Sequence, residues 1–320
     1  MVTAIIILNY NNYKDTINCI ESVERYNTSS IKYIVVDNGS TAPNCVDSLQ
    51  HYFANRFVDN YLVIKDKGCA PATLPYMTLM INEKNEGYAR GNNIGLTMAY
   101  GDPTIDNVMI LNNDILFVED IIPELKRTLS TVPDAAIVSP VLYKKNEIEI
   151  DYTCARRKST LQEEITYNIL HWITPKYVDK KLSRRYILLN SSEGNLLPID
   201  LPSGSCMLLT KELFQKIDSF DPNTFLYWEE QILYEKIERI NRKNYIRKDL
   251  KCIHLGGAST SMSVKSFFTI KCGNDSSFYY WKNYAQVSYL ELVLLRLSMY
   301  FNNILTVARM VLMKFIRRNF

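Results

Sequence analysis

Five short segments carry side chains whose types and spacing can do chemistry. Tyr33-Ile34-Val35-Val36-Asp37 and the run Asn107–Leu111 followed by Asn112-Asn113-Asp114 are apolar stretches with a carboxylate among small amides at their ends. Buried parallel strands read as such β-branched runs, and their carboxyl ends hand polar groups to the sheet edge. Asp37 there can accept a hydrogen bond from a base N–H or a ribose hydroxyl, or simply close the turn Asn38-Gly39-Ser40. The string from Asn85 to Gly95 is rich in Gly and Asn. Glycine lets a backbone approach closely, and a helix start offers amides to an anion such as phosphate. Glycines at 87, 91 and 95, one per helical turn, equally suit close helix packing. Glu229 and Glu230 follow Phe225-Leu226-Tyr227-Trp228. Aromatic surroundings desolvate a carboxylate and raise its pKa toward that of a working base, although two acidic residues at a helix start also complement the macrodipole. His254 ends an apolar run before Gly256 and Gly257, whereas His51 and His171 have no comparable context.

These groups need elements to position them. Ala4–Leu8, Tyr33–Asp37, Met77–Asn82, Asn107–Leu111 and Ala136–Leu142 read as buried strands. Lys14–Arg25, Val46–Ala54, Ala89–Tyr100 and Glu119–Thr131 read as the helices between them. Val58–Tyr76, with Gly68, Pro71 and Pro75, reads as an irregular surface excursion. The alternation over the first 140 or so residues argues for an open, parallel, doubly wound sheet that binds ligands beyond the carboxyl ends of its strands. Asn9, Asp37 and Asp114 all fall at such ends. Farther on, Lys144–Asn195 is a charged, Tyr-rich insertion and Ile199–Leu209 reads as one strand passing through Pro202-Ser203-Gly204-Ser205. Thr210–Ile217 is a short helix capped by Thr210. Trp228–Ile240 is a helix, Tyr245–His254 a strand and Phe278–Phe320 mostly helix.

Together the segments resemble the inverting nucleotide-sugar glycosyltransferases of family 2, with the rhamnosyltransferase-like branch nearest. The string Asn85-Glu86-Gly87-Tyr88-Ala89-Arg90-Gly91-Asn92-Asn93-Ile94-Gly95 is similar to the family's N-x-G-[FY]-[AS]-x-G-N-N-x-G almost residue for residue. The resemblance implies an α/β, GT-A-like domain over 1–255: an open, mostly parallel sheet flanked by helices, with a nucleotide-binding half at 1–142 and an acceptor-binding half at 143–255. Residues 256–320 would form a loop and a C-terminal helical extension. It implies that Asp37 reads a pyrimidine base beside Asn9 and Tyr10, and that Asn85, Gly87, Arg90, Asn93 and Asn113 contact the sugar nucleotide.

Asn112-Asn113-Asp114 stands where the family carries its DxD metal motif. Asp114 would therefore hold Mg2+ or Mn2+, and His254, in a segment similar to the family's H-x-x-G-x-S (His254, Gly257, Ser259), would complete the metal site or touch the diphosphate. Asn112 in place of the first Asp leaves the cation more dependent on the donor's diphosphate. Glu229-Glu230 stands for the family's ED pair, which makes Glu230 the base that deprotonates the acceptor and Glu229 its partner. Ser203-Gly204-Ser205-Cys206 resembles the segment that closes over donor and acceptor, where Ser203 or Ser205 either bonds a sugar or packs beneath the site.

The donor implied is a UDP- or dTDP-linked sugar, and the acceptor a lipid-linked glycan of a bacterial surface polysaccharide. Two rivals stand beside this reading. A nucleotidyltransferase needs a basic, Gly-rich loop where Asn9-Tyr10-Asn11-Asn12 stands. A non-catalytic glycan-binding scaffold has no need of Asp114, Glu230 and His254.

Composition narrows the setting. A chain of 320 residues, 47% hydrophobic, supports one large domain with an appendage. Its net charge of +3 leaves no footprint for nucleic acid, but it is uneven. From Trp281 onward six basic residues face the lone acid Glu291, so the rest of the chain is slightly acidic. Seven cysteines without a CxxC spacing read as reduced, buried thiols rather than a disulfide framework or zinc site. Ala4–Leu8 is too short for a signal peptide core, and no long uncharged apolar stretch predicts a membrane span. The expectation is a cytoplasmic protein, peripheral on the inner membrane. In the tail, Ser298, Asn302, Thr306, Arg309 and Arg317 fall on one polar stripe of an otherwise apolar helix that ends in Lys314, Arg317 and Arg318. Such a helix either lies in a membrane interface or packs on the domain or another subunit, and a homodimer stays open.

Overall fold

Ala4, Ile5, Ile6 and Ile7 are wholly buried, which a strand achieves only when both faces of its sheet are covered. The computed structural model describes residues 1–65, 70–190, 194–256 and 267–319, without the side chains of residues 190 and 310–319. Its first half runs β1 (Val2–Asn9), α1 (Tyr13–Tyr26), β2 (Ile31–Asp37), α2 (Cys45–Arg56), β3 (Tyr61–Lys65), β4 (Met77–Ile81), α3 (Gly87–Gly101), β5 (Ile105–Asn112), β6 (Ile115–Phe117), α4 (Ile122–Thr131) and β7 (Ala135–Lys144). The second half contributes β8 (Ala155–Arg156), α5 (Leu161–Leu170), α6 (Pro175–Leu182), β9 (Leu196–Ile199), β10 (Leu201–Pro202), β11 (Cys206–Thr210), α7 (Lys211–Lys216), α8 (Glu229–Glu238), β12 (Lys243–His254), α9 (Phe267–Asn283) and α10 (Tyr289–Asn319).

The main sheet has the order β3-β4-β2-β1-β5-β11-β7-β12-β6, with β9 added alongside β12. Strands β1 to β5 that pair in it are parallel; β11 enters antiparallel between β5 and β7. Alternate side chains serve two cores, as the two-residue period of a strand requires. Ile5, Ile7, Tyr33 and Val35 pack with Ile20 of α1 and Phe53 of α2. Ala4, Ile6, Ile34 and Val36 pack with Leu96 of α3, Phe214 of α7 and Leu233 of α8. A third, smaller core joins Ile232 of α8 to Tyr280 and Trp281 of α9 and to Leu295 and Met299 of α10. The six cysteines among the described residues are buried and unbridged; Cys69 lies outside them.

Four elements differ from the sequence reading. Tyr61–Lys65 is a strand, β3, at the sheet's parallel edge; its exposed Tyr61 and Lys65 hide the pattern, and Gly68 lies outside the described residues. The stretch 199–209 is not one strand. It breaks at Pro202, whose lacking N–H cannot feed a central ladder. β10 pairs with β8 in a separate ribbon, and a turn at 203–205 sends β11 into the main sheet. The helix expected from Glu119 starts at Ile122, with Pro123 in its first turn, and Glu119 and Asp120 instead accept the Lys251 and Thr28 amides. Residues 144–195 are more than an insertion: they build β8, α5 and α6, and α5 packs on α10. Thr210 caps α7 as expected, accepting from the Leu213 amide.

Candidate active site

Asn9 and Asp37 end neighbouring parallel strands in direct register. Asn9 Nδ2 donates to Asp37 Oδ1 at 2.6 Å, and Ser40 donates to the same carboxylate from its hydroxyl at 2.6 Å and its amide at 3.0 Å. A wholly buried carboxylate is tolerated only with such partners. Tyr10 stands just outside this corner, 45% exposed.

The Gly/Asn segment is closed by the protein itself. Asn38 donates to Asn85 Oδ1 and to the Gly87 carbonyl, both at 3.0 Å, and accepts from the Glu86 amide at 3.1 Å. Asn85 Oδ1 takes the Gly87 amide at 2.9 Å, and the Phe225 carbonyl takes the Tyr88 amide at 2.8 Å. The first two amides of α3, those of Gly87 and Tyr88, are therefore already paired. Gly87 has a positive φ of 81°, and a Cβ there would sit 2.3 Å from the Phe225 carbonyl oxygen. Gly95 lets α3 lie on the sheet, since a Cβ would meet Ile6 Cγ2 at 2.7 Å. Arg90 donates to the Pro222 carbonyl at 2.7 Å. Asn93 exchanges two hydrogen bonds with the Phe220 backbone, at 2.8 and 3.1 Å. Both residues thus tie α3 to the loop that leads to Glu229.

Asp114 sits in the turn between β5 and β6, and β6 pairs with the end of β12, which brings His254 to it. His254 Nε2 lies 3.3 Å from Asp114 Oδ2, and His254 Nδ1 lies 3.1 Å from Asp151 Oδ2. Burial disfavours a charged imidazole, but the two carboxylates outweigh it and raise His254 to about 9. Asp151 is likewise disfavoured by burial, yet hydrogen bonds from His254 and Thr153 hold it below the usual carboxylate range.

A divalent cation fits this donor set. Two ligands on one small cation at about 2.1 Å lie roughly 3 Å apart when mutually perpendicular, close to the Asp114–His254 separation. Asp151 behind the imidazole is the carboxylate that commonly orients a metal-binding histidine. Among the described residues no group of three or more His, Cys, Asp or Glu could hold a metal. Gly257, Ala258 and Ser259 of the same segment lie outside the described residues.

Trp228, in the left-handed region at φ 72°, turns the chain sharply into α8 and sets the two glutamates in different surroundings. Glu229 is buried, and desolvation together with the neighbouring Glu230 charge pushes it up to about 8. Glu230 is partly open: its Oε1 accepts the Gly204 amide at 3.1 Å and lies 3.7 Å from the Arg156 guanidinium. The Tyr88 hydroxyl donates to the Gly204 carbonyl at 2.7 Å. Burial first, then the charges of Glu230, Glu229 and Asp114, raise the Tyr88 hydroxyl well above its usual value.

Hydrogen bonds join these parts. Thr16 donates to Asn9 at 2.8 Å and accepts from Asn113 at 3.1 Å. Asn112 reaches the Ser205 hydroxyl at 3.2 Å, in the turn whose Gly204 holds Glu230. Thr16, Tyr88, Asp151 and Arg156 were not singled out in the sequence. Tyr88 lay inside the Gly/Asn string, but Asp151 and Arg156 lie in a stretch without periodicity, and only their contacts reveal them.

The chain belongs to glycosyl transferase family 2: the family model matches residues 4–189. The match covers the β1–β2 corner, the Gly/Asn segment, Asp114 and Asp151, and ends before Glu229, Glu230 and His254. The low-salt glycan biosynthesis hexosyltransferase Agl10 of Haloferax volcanii is 23% identical over 227 residues, covering 71% of this chain and 58% of that protein. The crystal structure of GalNAc-T7 with UDP, GalNAc and Mn2+ superimposes with a TM-score of 0.58 at 12% identity, covering 89% of this chain and 49% of the other. The fold is therefore GT-A-like, a mostly parallel sheet flanked by helices with a C-terminal helical extension.

Proposed function

We propose that this chain transfers a sugar from a UDP- or dTDP-linked donor to a hydroxyl of a lipid-linked glycan, with inversion at the anomeric carbon, during assembly of a bacterial surface polysaccharide. One observation carries the reading. Hydrogen bonds link Asp37 through Asn9 and Thr16 to Asn113, beside the Asp114–His254 pair, and Asn112, the preceding residue in the chain, bonds to the turn that anchors Glu230. The groups proposed for nucleotide, cation and acceptor proton thus gather near the carboxyl ends of the parallel strands, the place where doubly wound sheets bind ligands.

Asp37 and Ser40 form the corner for base and ribose, and the exposed ring of Tyr10 is available to stack on the base. Asp114 and His254 would hold Mg2+ or Mn2+, which when bound supplies positive charge to the departing diphosphate. Glu230 takes the acceptor proton as the hydroxyl oxygen bonds to C1. The C1–oxygen bond to the diphosphate breaks, and its electron pair leaves with the nucleoside diphosphate. Glu229 keeps its proton near neutral pH, so the second carboxyl does not add a like charge beside Glu230. The mention of a hexosyltransferase in the name of the archaeal relative, and of UDP and Mn2+ with the GalNAc-T7 structure, supports this class of donor and cofactor.

The test is a panel of UDP- and dTDP-sugars with Mg2+ or Mn2+, read by the products released. Slow release of nucleoside diphosphate supports a transferase. Pyrophosphate from sugar phosphate and nucleoside triphosphate would instead mean a nucleotidyltransferase, and no turnover with retained glycan binding would mean a scaffold.

A further inference from the structure

Helix α10 buries its polar stripe beside Leu295 and Met299 and leaves a second apolar face uncovered. Ser298 is buried, its hydroxyl accepting from Asn168 of α5 at 3.1 Å. Asn302 accepts the Trp172 indole N–H at 2.6 Å, and Asn303 accepts from Asn274 of α9 at 2.9 Å. The polar stripe of the helix is thus spent on the protein. The opposite side carries Leu290, Leu294, Leu297, Phe301 and Ile304, each between 40% and 68% exposed, with Tyr300 and Val307 exposed beside them. A surface helix of a soluble domain does the reverse, and a contiguous exposed apolar face marks an interaction site.

We infer that this face lies flat on an anionic lipid bilayer. At 100° per residue the exposed apolar positions span an arc of about 140°, broader than the narrow seam of a paired coiled coil. Charge points the same way. From Trp281 onward six basic residues face one acidic residue, so two copies pairing through this face would bring like-charged tails together, whereas acidic headgroups complement them. Arg296 stands over the rings of Phe278 and Tyr300 at 4.6 and 5.7 Å, and Arg309 over Trp172 at 4.8 Å. These cations and aromatic rings flank the apolar arc, the arrangement suited to a membrane–water interface. Exposed Ile173 and Tyr177 and exposed Lys176 and Lys180 extend the same character onto α6 and the turn before it. Residues Tyr289–Arg309 are long and apolar enough to cross a bilayer, but the hydrogen bonds from their polar stripe to α5 and α9 keep the helix lying against the domain. The docked layer also borders the reaction site: Phe268, exposed at the start of α9, packs on Phe225 in the loop that leads to Glu229 and Glu230.

The experiment is flotation of the full chain with vesicles of phosphatidylglycerol or phosphatidylcholine, with light scattering of the lipid-free protein. The protein floats with phosphatidylglycerol and at least about tenfold less with phosphatidylcholine, and high salt weakens the binding. Leu294→Glu with Ile304→Glu lowers flotation at least about tenfold while thermal melting and donor hydrolysis stay those of the parent. Failure of the parent to float with phosphatidylglycerol overturns the inference. So does a lipid-free dimer that the two substitutions split while flotation is unchanged, since the face would then belong to a second copy.

Discussion

The imidazole of His254 meets the carboxylate of Asp114 across 3.3 Å, held from its far side by Asp151 at 3.1 Å. If the pair shares a cation, Asp151→Asn weakens Mn2+ binding by about 10- to 100-fold, through the imidazole rather than by direct contact. Asp114→Asn weakens it more, because a ligand is lost. Titration of Mn2+ in the presence of UDP, followed by electron paramagnetic resonance, measures both. Parent-like affinity in both variants would place the cation elsewhere.

Glu230 and Glu229 sit in different surroundings, and the roles proposed for them differ accordingly. Glu230→Gln keeps the Gly204 amide partnered but removes the proton acceptor, so transfer falls by about 10²- to 10⁴-fold while donor binding stays within a few fold. Single-turnover transfer beside calorimetric binding of the donor checks this. Full activity in Glu230→Gln would move the base to another group.

Glu229 makes stability depend on pH with a definite sign. Folding raises it from the ordinary 4.5 to about 8, so between those values the folded chain binds a proton that the unfolded chain has released. The contribution is fully present below pH 4.5 and is lost as pH rises through about 8. Glu229→Gln lacks this term, so its stability relative to the parent increases from pH 4.5 to about 8 and then levels off. Urea unfolding at pH 5, 6.5 and 8.5 is the measurement, and a pH-independent difference would mean that Glu229 is ionised in the fold.

Gly95 carries a packing role that activity assays alone would misread. A Cβ there meets Ile6 Cγ2 at 2.7 Å and Val36 Cγ2 at 3.3 Å, both in the buried sheet. Gly95→Val destabilises the fold by about 1–3 kcal/mol, seen as a lower urea midpoint, with nucleotide affinity unchanged in the folded fraction. Loss of affinity without loss of stability would instead give the glycine a direct place in the donor site.

Much of the scaffold was legible because its physics is local. Ala4–Leu8, Tyr33–Asp37 and Asn107–Leu111 are continuous apolar runs that a strand buried on both faces requires, so the strand ends at Asn9 and Asp37, and the turn with Asp114 just past β5, were legible in the sequence. The Thr210 cap depends on a residue and the amide three positions on, and it too was visible. The strand β3 was not, since an edge strand alternates weakly and its neighbours are turn formers.

What the sequence alone determined is the inventory: which carboxylates, amides and histidine end buried elements, and that the tail helix has one polar stripe. Only the tertiary structure decided how they are used. It set His254 against Asp114 through the pairing of β12 with β6, buried Glu229 while leaving Glu230 at the turn of Gly204, and supplied Asp151 and Arg156 from a stretch with no pattern. It also turned the polar stripe of α10 inward. Periodicity reports which side of an element differs from the other, but the partner that each side meets comes from chain segments a hundred or more residues away.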